Sequence, residues 1–249
     1  MLASQRKQQI LTLLAEQKQV HSGELSQHFG ISEDSIRRDL RELAAEGLLQ
    51  RVHGGALPVS PAIAPLETRK NVQTGSKRAI ARKAVSLIQP GQVVILDGGT
   101  TTHELVRQLP ATLSFTAVTH SPAIAVALVD FPLIEVILLG GVLYRHSVVT
   151  VGAAMLESLN TINADLYFMG VTGVHSETGF TTGNYEEACV KRALSSRAAE
   201  TVVMASSEKI NSASAFAIGE LTMASTLVVK DPLEQALQST CEKLGIAVI

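Results

Sequence analysis

The chain has 249 residues, 46% hydrophobic and 18% charged, and its 21 Lys and Arg against 23 Asp and Glu leave a net charge of −2. That length accommodates a small domain beside one of ordinary size, while the slightly acidic balance excludes attraction of nucleic acid by the overall field of the protein, so that any such contact is local. The absence of tryptophan and the 4% aromatic content argue against stacking platforms for single strands, and two cysteines without metal-type spacing, Cys189 and Cys241, exclude a disulfide framework.

The two cysteines read as small buried hydrophobes in a reducing compartment. The first nine residues lack the apolar stretch of a signal peptide. The most apolar region, 123–142, is interrupted by Asp130, Pro132 and Glu135 and is too broken to span a membrane. The expected location is the cytoplasm, and neither cofactor nor metal is expected.

In chain order, Ser4 to Gln17 reads as a helix with Ile10, Leu13 and Leu14 inward. Ser22 is the expected N-cap of a second helix, in which Leu25 and Phe29 share one stripe and Gly30 suits a left-handed C-cap. Ser32 caps a third helix whose first turn carries Glu33, Asp34 and Ser35. Ile36, Leu40 and Leu43 are its buried stripe, so Arg38 and Arg41 point outward, with Ser35 and Arg37 on the flanks. Gly47 ends it. Residues 48–57 read as a β-hairpin turning around His53-Gly54-Gly55, where glycine supplies positive φ. The unit 1–57 is therefore a winged helix-turn-helix, a shape that sets a helix in the DNA major groove. Its charge does not decide the matter: seven basic and seven acidic side chains cancel, which equally suits three packed helices with a solvated face.

The segments Ile31-Ser-Glu-Asp-Ser-Ile-Arg-Arg-Asp-Leu40 and Leu48-Leu-Gln-Arg-Val-His-Gly-Gly-Ala56 closely resemble the N-terminal signature of the DeoR family of bacterial transcription regulators. The resemblance continues over nearly the whole chain. It implies that Arg37 and Arg38 touch double-stranded operator DNA, by bidentate bonds to guanine or by clamping phosphate. The candidate DNA contacts are Ser32, Ser35, Arg37, Arg38, Arg41, Arg51 and His53.

Pro58, Pro61 and Pro65 among small residues mark a linker, placed at 58–75. A helix follows over about Ser76 to Ile88, on which Lys77, Arg78, Arg82 and Lys83 read either as a solvated face or as a phosphate contact. From there apolar runs at 93–96, 115–118, 134–139, 166–169, 201–204 and 226–229 alternate with helices starting near Thr100, Ser121 and Tyr185, the last extending to about Ala199. This pattern predicts an α/β domain over 76–249 with a largely parallel sheet. In such sheets ligands sit at the carboxyl ends of strands.

The loop Asp97-Gly98-Gly99-Thr100-Thr101-Thr102 lies at one such end and opens a helix. Free backbone N–H groups at a helix start favour an anion, and threonine hydroxyls add donors. It lacks Walker and Rossmann spacing, and a Gly-Gly-Thr turn also serves as a plain helix cap. The DeoR resemblance implies a sensor domain similar to ribose-phosphate isomerases, with this loop as its phosphate loop. Gly141, at the end of the third apolar run, joins the candidate effector residues. Glu187 and Lys191, one turn apart, face either the sugar end of a pocket or each other as an ion pair. His120 stands where the family often has Asn, and fills space or contacts ligand. Ser206-Ser-Glu-Lys209-Ile departs from the family's Asp-x-Ser-Lys-Phe, keeping Lys209 as an anion contact but losing the acidic residue.

The reading is a regulator, a repressor of carbohydrate genes by the family's usual mode, controlled by a phosphorylated sugar and acting as a homo-dimer or homo-tetramer. Its alternative is a sugar-phosphate isomerase with an attached DNA-binding domain, with Asp97, Glu186 or Glu187 as the base. A ligand-free architectural DNA-binding protein is the third.

Overall fold

The computed structural model describes residues 2–249. The N-terminal unit comprises α1 (Ala3–Gln17), β1 (Val20–His21), α2 (Ser22–Phe29), α3 (Glu33–Ala45), β2 (Gln50–Val52) and β3 (Gly55–Leu57). Ile10, Leu14, Leu25, Ile36, Leu40, Leu43 and Leu49 close over one apolar core, which is the stripe the periodicity picks out. Strand β3 lies between β1 and β2, so the wing is a three-stranded sheet. Its turn is tight because Gly54 takes φ +77°. At Gly55 a Cβ would lie 1.9 Å from the Val20 carbonyl oxygen, so β1 docks on the wing only because that side chain is missing. This docking corrects the expected cap of α2. The chain stays extended through His21, which is the N-cap, and Ser22 is a buried first helical residue whose N–H donates to the Gly54 carbonyl at 2.7 Å.

Asp39 is buried on the inner side of α3 and accepts from Arg6 Nε at 2.5 Å, while Lys7 pairs with Glu42. These pairs tie α1 to α3 and remove both cations from the charge available for DNA. A half-removed buried pair leaves an uncompensated charge, which typically costs about 3–5 kcal/mol.

Segment 58–75, expected as a polar linker, is structured. Val59 bridges Ala213, a 3-10 turn covers Pro61–Ile63, and α4 (Leu66–Arg69) follows with Leu66 buried and its N–H on the His146 carbonyl at 3.0 Å. Next comes α5 (Thr74–Val85), which starts and ends earlier than the periodicity suggests.

The remaining elements are β4 (Val93–Leu96), α6 (Thr100–Arg107), β5 (Phe115–Thr119), α7 (Pro122–Leu128), β6 (Ile134–Leu138), β7 (Val142–Tyr144), β8 (Val149–Val151), α8 (Ala153–Leu159), β9 (Ala164–Gly170), β10 (Gly173–His175), β11 (Gly179–Thr182), α9 (Tyr185–Ser195), β12 (Ala198–Met204), β13 (Phe216–Gly219), β14 (Thr226–Val228), α10 (Gln235–Lys243) and β15 (Ala247–Val248). Seven of the strands form one sheet in the order β15-β14-β12-β9-β4-β5-β6. Every pairing in it is parallel. Val94 and Leu96 face the cluster built on α5, α6 and α7, whereas Ile95 faces the cluster built on α8, α9 and α10. A sheet covered on both faces explains why its strands read as unbroken apolar runs.

Helix α9 stops four residues short of its expected end, because Ala198 and Ala199 already belong to β12, with Ala198 paired to Ala164. Helix α10, strand β15, the hairpin β7–β8 and the three-stranded sheet β10-β11-β13 carry too few consecutive apolar residues to be read as elements from sequence. Among the described residues no helix is long and apolar enough to cross a membrane.

Candidate functional site

The chain proceeds from β4 to β5 and β6 on one side, then returns to lay β9 on the other side of β4. The point where the order reverses leaves a crevice at the carboxyl ends of β4 and β9. Asp97, one residue beyond β4, spans that crevice. Its Oδ1 accepts from Gly98 N–H at 2.8 Å and from His120 Nε2 at 2.8 Å. Its Oδ2 accepts from Gly170 N–H, at the end of β9, at 2.8 Å and from Lys191 Nζ. His120 Nδ1 lies 3.0 Å from the Thr150 carbonyl, which fixes the ring between that carbonyl and Asp97. Burial alone raises the Asp97 carboxyl, but Lys191 and His120 overcome it and hold the group well below the usual carboxylate range.

Above this hub, loop 98–102 turns into α6. Gly99 is the N-cap at φ +122°, a conformation that disfavours any other residue. A Cβ at Gly98 would meet Val149 Cγ1 at 2.3 Å. No side chain caps α6, and its first ladder bond runs from His103 N–H to the Gly99 carbonyl at 3.0 Å. The N–H groups of Thr100, Thr101 and Thr102 are thus those that a helix start leaves without an intrahelical acceptor. The buried hydroxyls of Thr101 and Thr102 also have no partner among the described residues.

These groups border a cleft of about 240 Å³. That is somewhat below the ~300–1,000 Å³ of pockets for drug-sized ligands, and suits a small metabolite. Its walls include Arg69, Tyr144, His146, Ser147, Thr172, Glu187, Lys191 and Lys209, and also Gln50 of the wing and Val59, Ala62 and Ile63 of the connector. Four cations, Arg69, Lys77, Lys191 and Lys209, cluster with three carboxylates, Asp97, Glu187 and Glu208. Lys209 is buried, its ammonium has no hydrogen bond or ion pair among the described residues, and burial pushes that ammonium down to about 8. An arrangement of free N–H groups, unpartnered hydroxyls and excess ammonium charge receives an anion.

On the N-terminal unit, Ser32 caps α3, its Oγ lying 3.4 Å from Ser35 N–H and 3.1 Å from Ser35 Oγ. Arg37 is held by Glu33 at 2.7 Å and Asp34 at 3.4 Å. Arg38, Arg41 and, on β2, Arg51 are exposed and have no ion pair among the described residues. His53 is exposed at the tip of the wing.

Residues 72–231 match the family model described as the DeoR C terminal sensor domain, and residues 6–62 match the DeoR-like helix-turn-helix domain. The chain belongs to the DeoR family. Its relatives include the HTH-type transcriptional regulator GlpR of Haloferax volcanii, 36% identical over 100% of this chain and 98% of the relative. The glycerol-3-phosphate regulon repressor of Escherichia coli K12 is 30% identical over 93% of this chain and 92% of the relative. Among solved structures, ribose 5-phosphate isomerase A from Methanocaldococcus jannaschii is 19% identical, covering 54% of this chain and 53% of that one at a TM-score of 0.40, too distant a likeness to bear on the chemistry.

In this DeoR-family chain the cleft gathers Gly98 to Thr102, Glu187 and Lys191 of α9, and Lys209, drawn from three separate stretches of sequence. Asp97 and His120 lie beneath its floor, fully buried, and hold it together. Gly141 is exposed and outside the lining. Glu187 and Lys191 do not pair with each other, because Lys191 is taken by Asp97. Lys77, expected on a solvated face or as a phosphate contact, is buried and donates to the Arg69 carbonyl at 2.6 Å. As a base Asp97 is spent, since both oxygens already accept two bonds each. Sequence reasoning missed Arg69, Tyr144 and Gln50. Arg69 carries a signal of a kind, being a lone arginine after a proline-rich connector, but nothing local says that it turns inward.

Proposed function

We propose that this protein is a DNA-binding transcriptional regulator of the repressor type, that its target genes serve carbohydrate uptake or breakdown, and that a phosphorylated sugar controls it. The observation that carries this reading is the union of two surfaces in one chain. One is the outward face of α3 and the wing, with Arg38, Arg41 and Arg51 exposed and unpaired among the described residues. The other is a cation-rich cleft over the uncapped start of α6. Arginine at a recognition helix bonds guanine edges or phosphates. A phosphomonoester fits the free N–H groups of residues 100–102 and the Lys209 ammonium, and Glu187 supplies acceptors for sugar hydroxyls. The names of the relatives, regulators and a glycerol-3-phosphate regulon repressor, support the same reading. Dimeric or tetrameric assembly follows from the symmetry of half-sites that such regulators read, and the site of action is the cytoplasm.

The test is capture of genomic DNA fragments by the purified protein, followed by sequencing. The expected outcome is a few sharp sites beside sugar-uptake or sugar-kinase genes, released by one phosphorylated sugar from a panel. Diffuse, salt-sensitive binding under every ligand condition would refute sequence reading by α3.

A further inference from the structure

Arg69 is a charged wall of the cleft with no ion pair among the described residues, and its Nε is buried without a hydrogen-bond partner. Lys77 adds like charge nearby, its ammonium donating to the Arg69 backbone carbonyl and pushed down chiefly by burial and in part by the guanidinium. Burial pushes the guanidinium down against the pull of Glu187, Asp97 and Glu208. An arginine left so, beside Lys191 and Lys209, keeps donors and charge that an anion in the cleft would satisfy. Its position in the chain is equally informative. Arg69 ends α4, whose first N–H is anchored to the His146 carbonyl in the turn of the β7–β8 hairpin. His146 lines the cleft too, as do Ala62 and Ile63 of the connector and Gln50 on wing strand β2. The wing and connector are therefore walls of the cleft, with no intervening network needed to reach them.

We propose that Arg69 is a ligand-contacting residue that grips the phosphomonoester group of the effector from the connector side, so that occupancy fixes the connector and the wing strand against the sensor domain. This rests on the reading of loop 98–102 as the phosphate cradle. A guanidinium presents a planar fork that matches two phosphate oxygens, which a lysine ammonium does not. Because the fork belongs to the connector, part of the binding free energy depends on where the connector sits. That dependence is the differential affinity which any ligand-driven shift between wing arrangements requires.

The experiment uses the full chain as wild type, Arg69→Gln and Arg69→Lys, with inorganic phosphate as the probe. Calorimetric titration measures its affinity, and hydrogen exchange measures protection of residues 50–69 with and without it. The expected result is an affinity loss of about ten- to a hundredfold in Arg69→Gln, part recovery in Arg69→Lys, and phosphate-induced protection of 59–69 in the wild type that Arg69→Gln lacks. Wild-type affinity in Arg69→Gln, or loss of affinity with connector protection unchanged by phosphate, overturns the inference and leaves the cradle standing. Absence of phosphate binding by the wild type removes the cradle reading, and this inference with it.

Discussion

Replacing Lys209 by methionine is expected to make the ligand-free protein more stable. The side chain is 5% exposed and without a partner among the described residues, and burial pushes its ammonium down to about 8 from an ordinary value of 10.5. At about 1.4 kcal/mol per unit, keeping it charged costs the folded state about 3 kcal/mol at pH 7. The sign follows from linkage. A lysine depressed in the folded state binds fewer protons there than in the unfolded chain between those two values, so its penalty is complete below about pH 8 and fades as pH climbs toward the unfolded value. By pH 9.5 the same arithmetic leaves about 1.4 kcal/mol. Urea melts of wild type and Lys209→Met at pH 7 and 9.5 read the difference directly. Methionine keeps the length of the stem without a charge, so the core around it is retained. The variant is expected to gain about 3 kcal/mol at pH 7 and roughly half of that at pH 9.5, and to lose the stabilisation that added phosphate gives the wild type. A Lys209→Met protein that is no more stable than wild type at pH 7, with a pH-independent difference, would refute the claim that this ammonium is held desolvated for an anion.

Asp97→Asn leaves the buried Lys191 without its counter-charge and is expected to lose about 3–5 kcal/mol of stability at neutral pH, read by thermal unfolding under circular dichroism. The contribution of Asp97 is present in full above about pH 4 and is lost only as acid approaches the depressed folded value, so the gap between the two proteins narrows in acid. A loss below about 1 kcal/mol at pH 7 would mean that the hub does not hold the cleft. On the DNA side, Arg38→Ala is expected to weaken operator binding by about ten- to a hundredfold, with Arg37→Ala weaker in effect because Glu33 and Asp34 already hold that guanidinium. Fluorescence anisotropy on a labelled operator ranks the two, and unchanged affinity in Arg38→Ala would remove α3 as the reading helix.

The helices of the N-terminal unit were legible because their signals are local. Ser32 sits before an acidic first turn, Ile36, Leu40 and Leu43 recur at helical spacing, and Gly30 follows the last turn of α2. The seven-stranded sheet was legible in part for the same reason: strands buried on both faces are short apolar runs. The failures share an opposite cause. Ser22 carries the residue type of a cap, yet pairing of β1 with β3 fixes the helix start one residue earlier. Lys77 and Arg69 look like solvated cations because nothing near them in sequence records the carbonyl and the cleft that receive them.

The sequence by itself determined what depends on neighbours within a turn or two: the class of each domain, the outward arginines of α3 and the glycine–threonine loop that begins α6. Only the tertiary structure decided which charges are free and which are spent. Arg6 and Lys7 are consumed by Asp39 and Glu42, Asp97 is sealed by His120 and Lys191, and Lys209 and Arg69 are left facing the cleft. The physical reason is that burial and pairing energies depend on groups far apart in the chain, 94 positions in the case of Asp97 and Lys191, and no local pattern encodes a Coulomb partner at that distance.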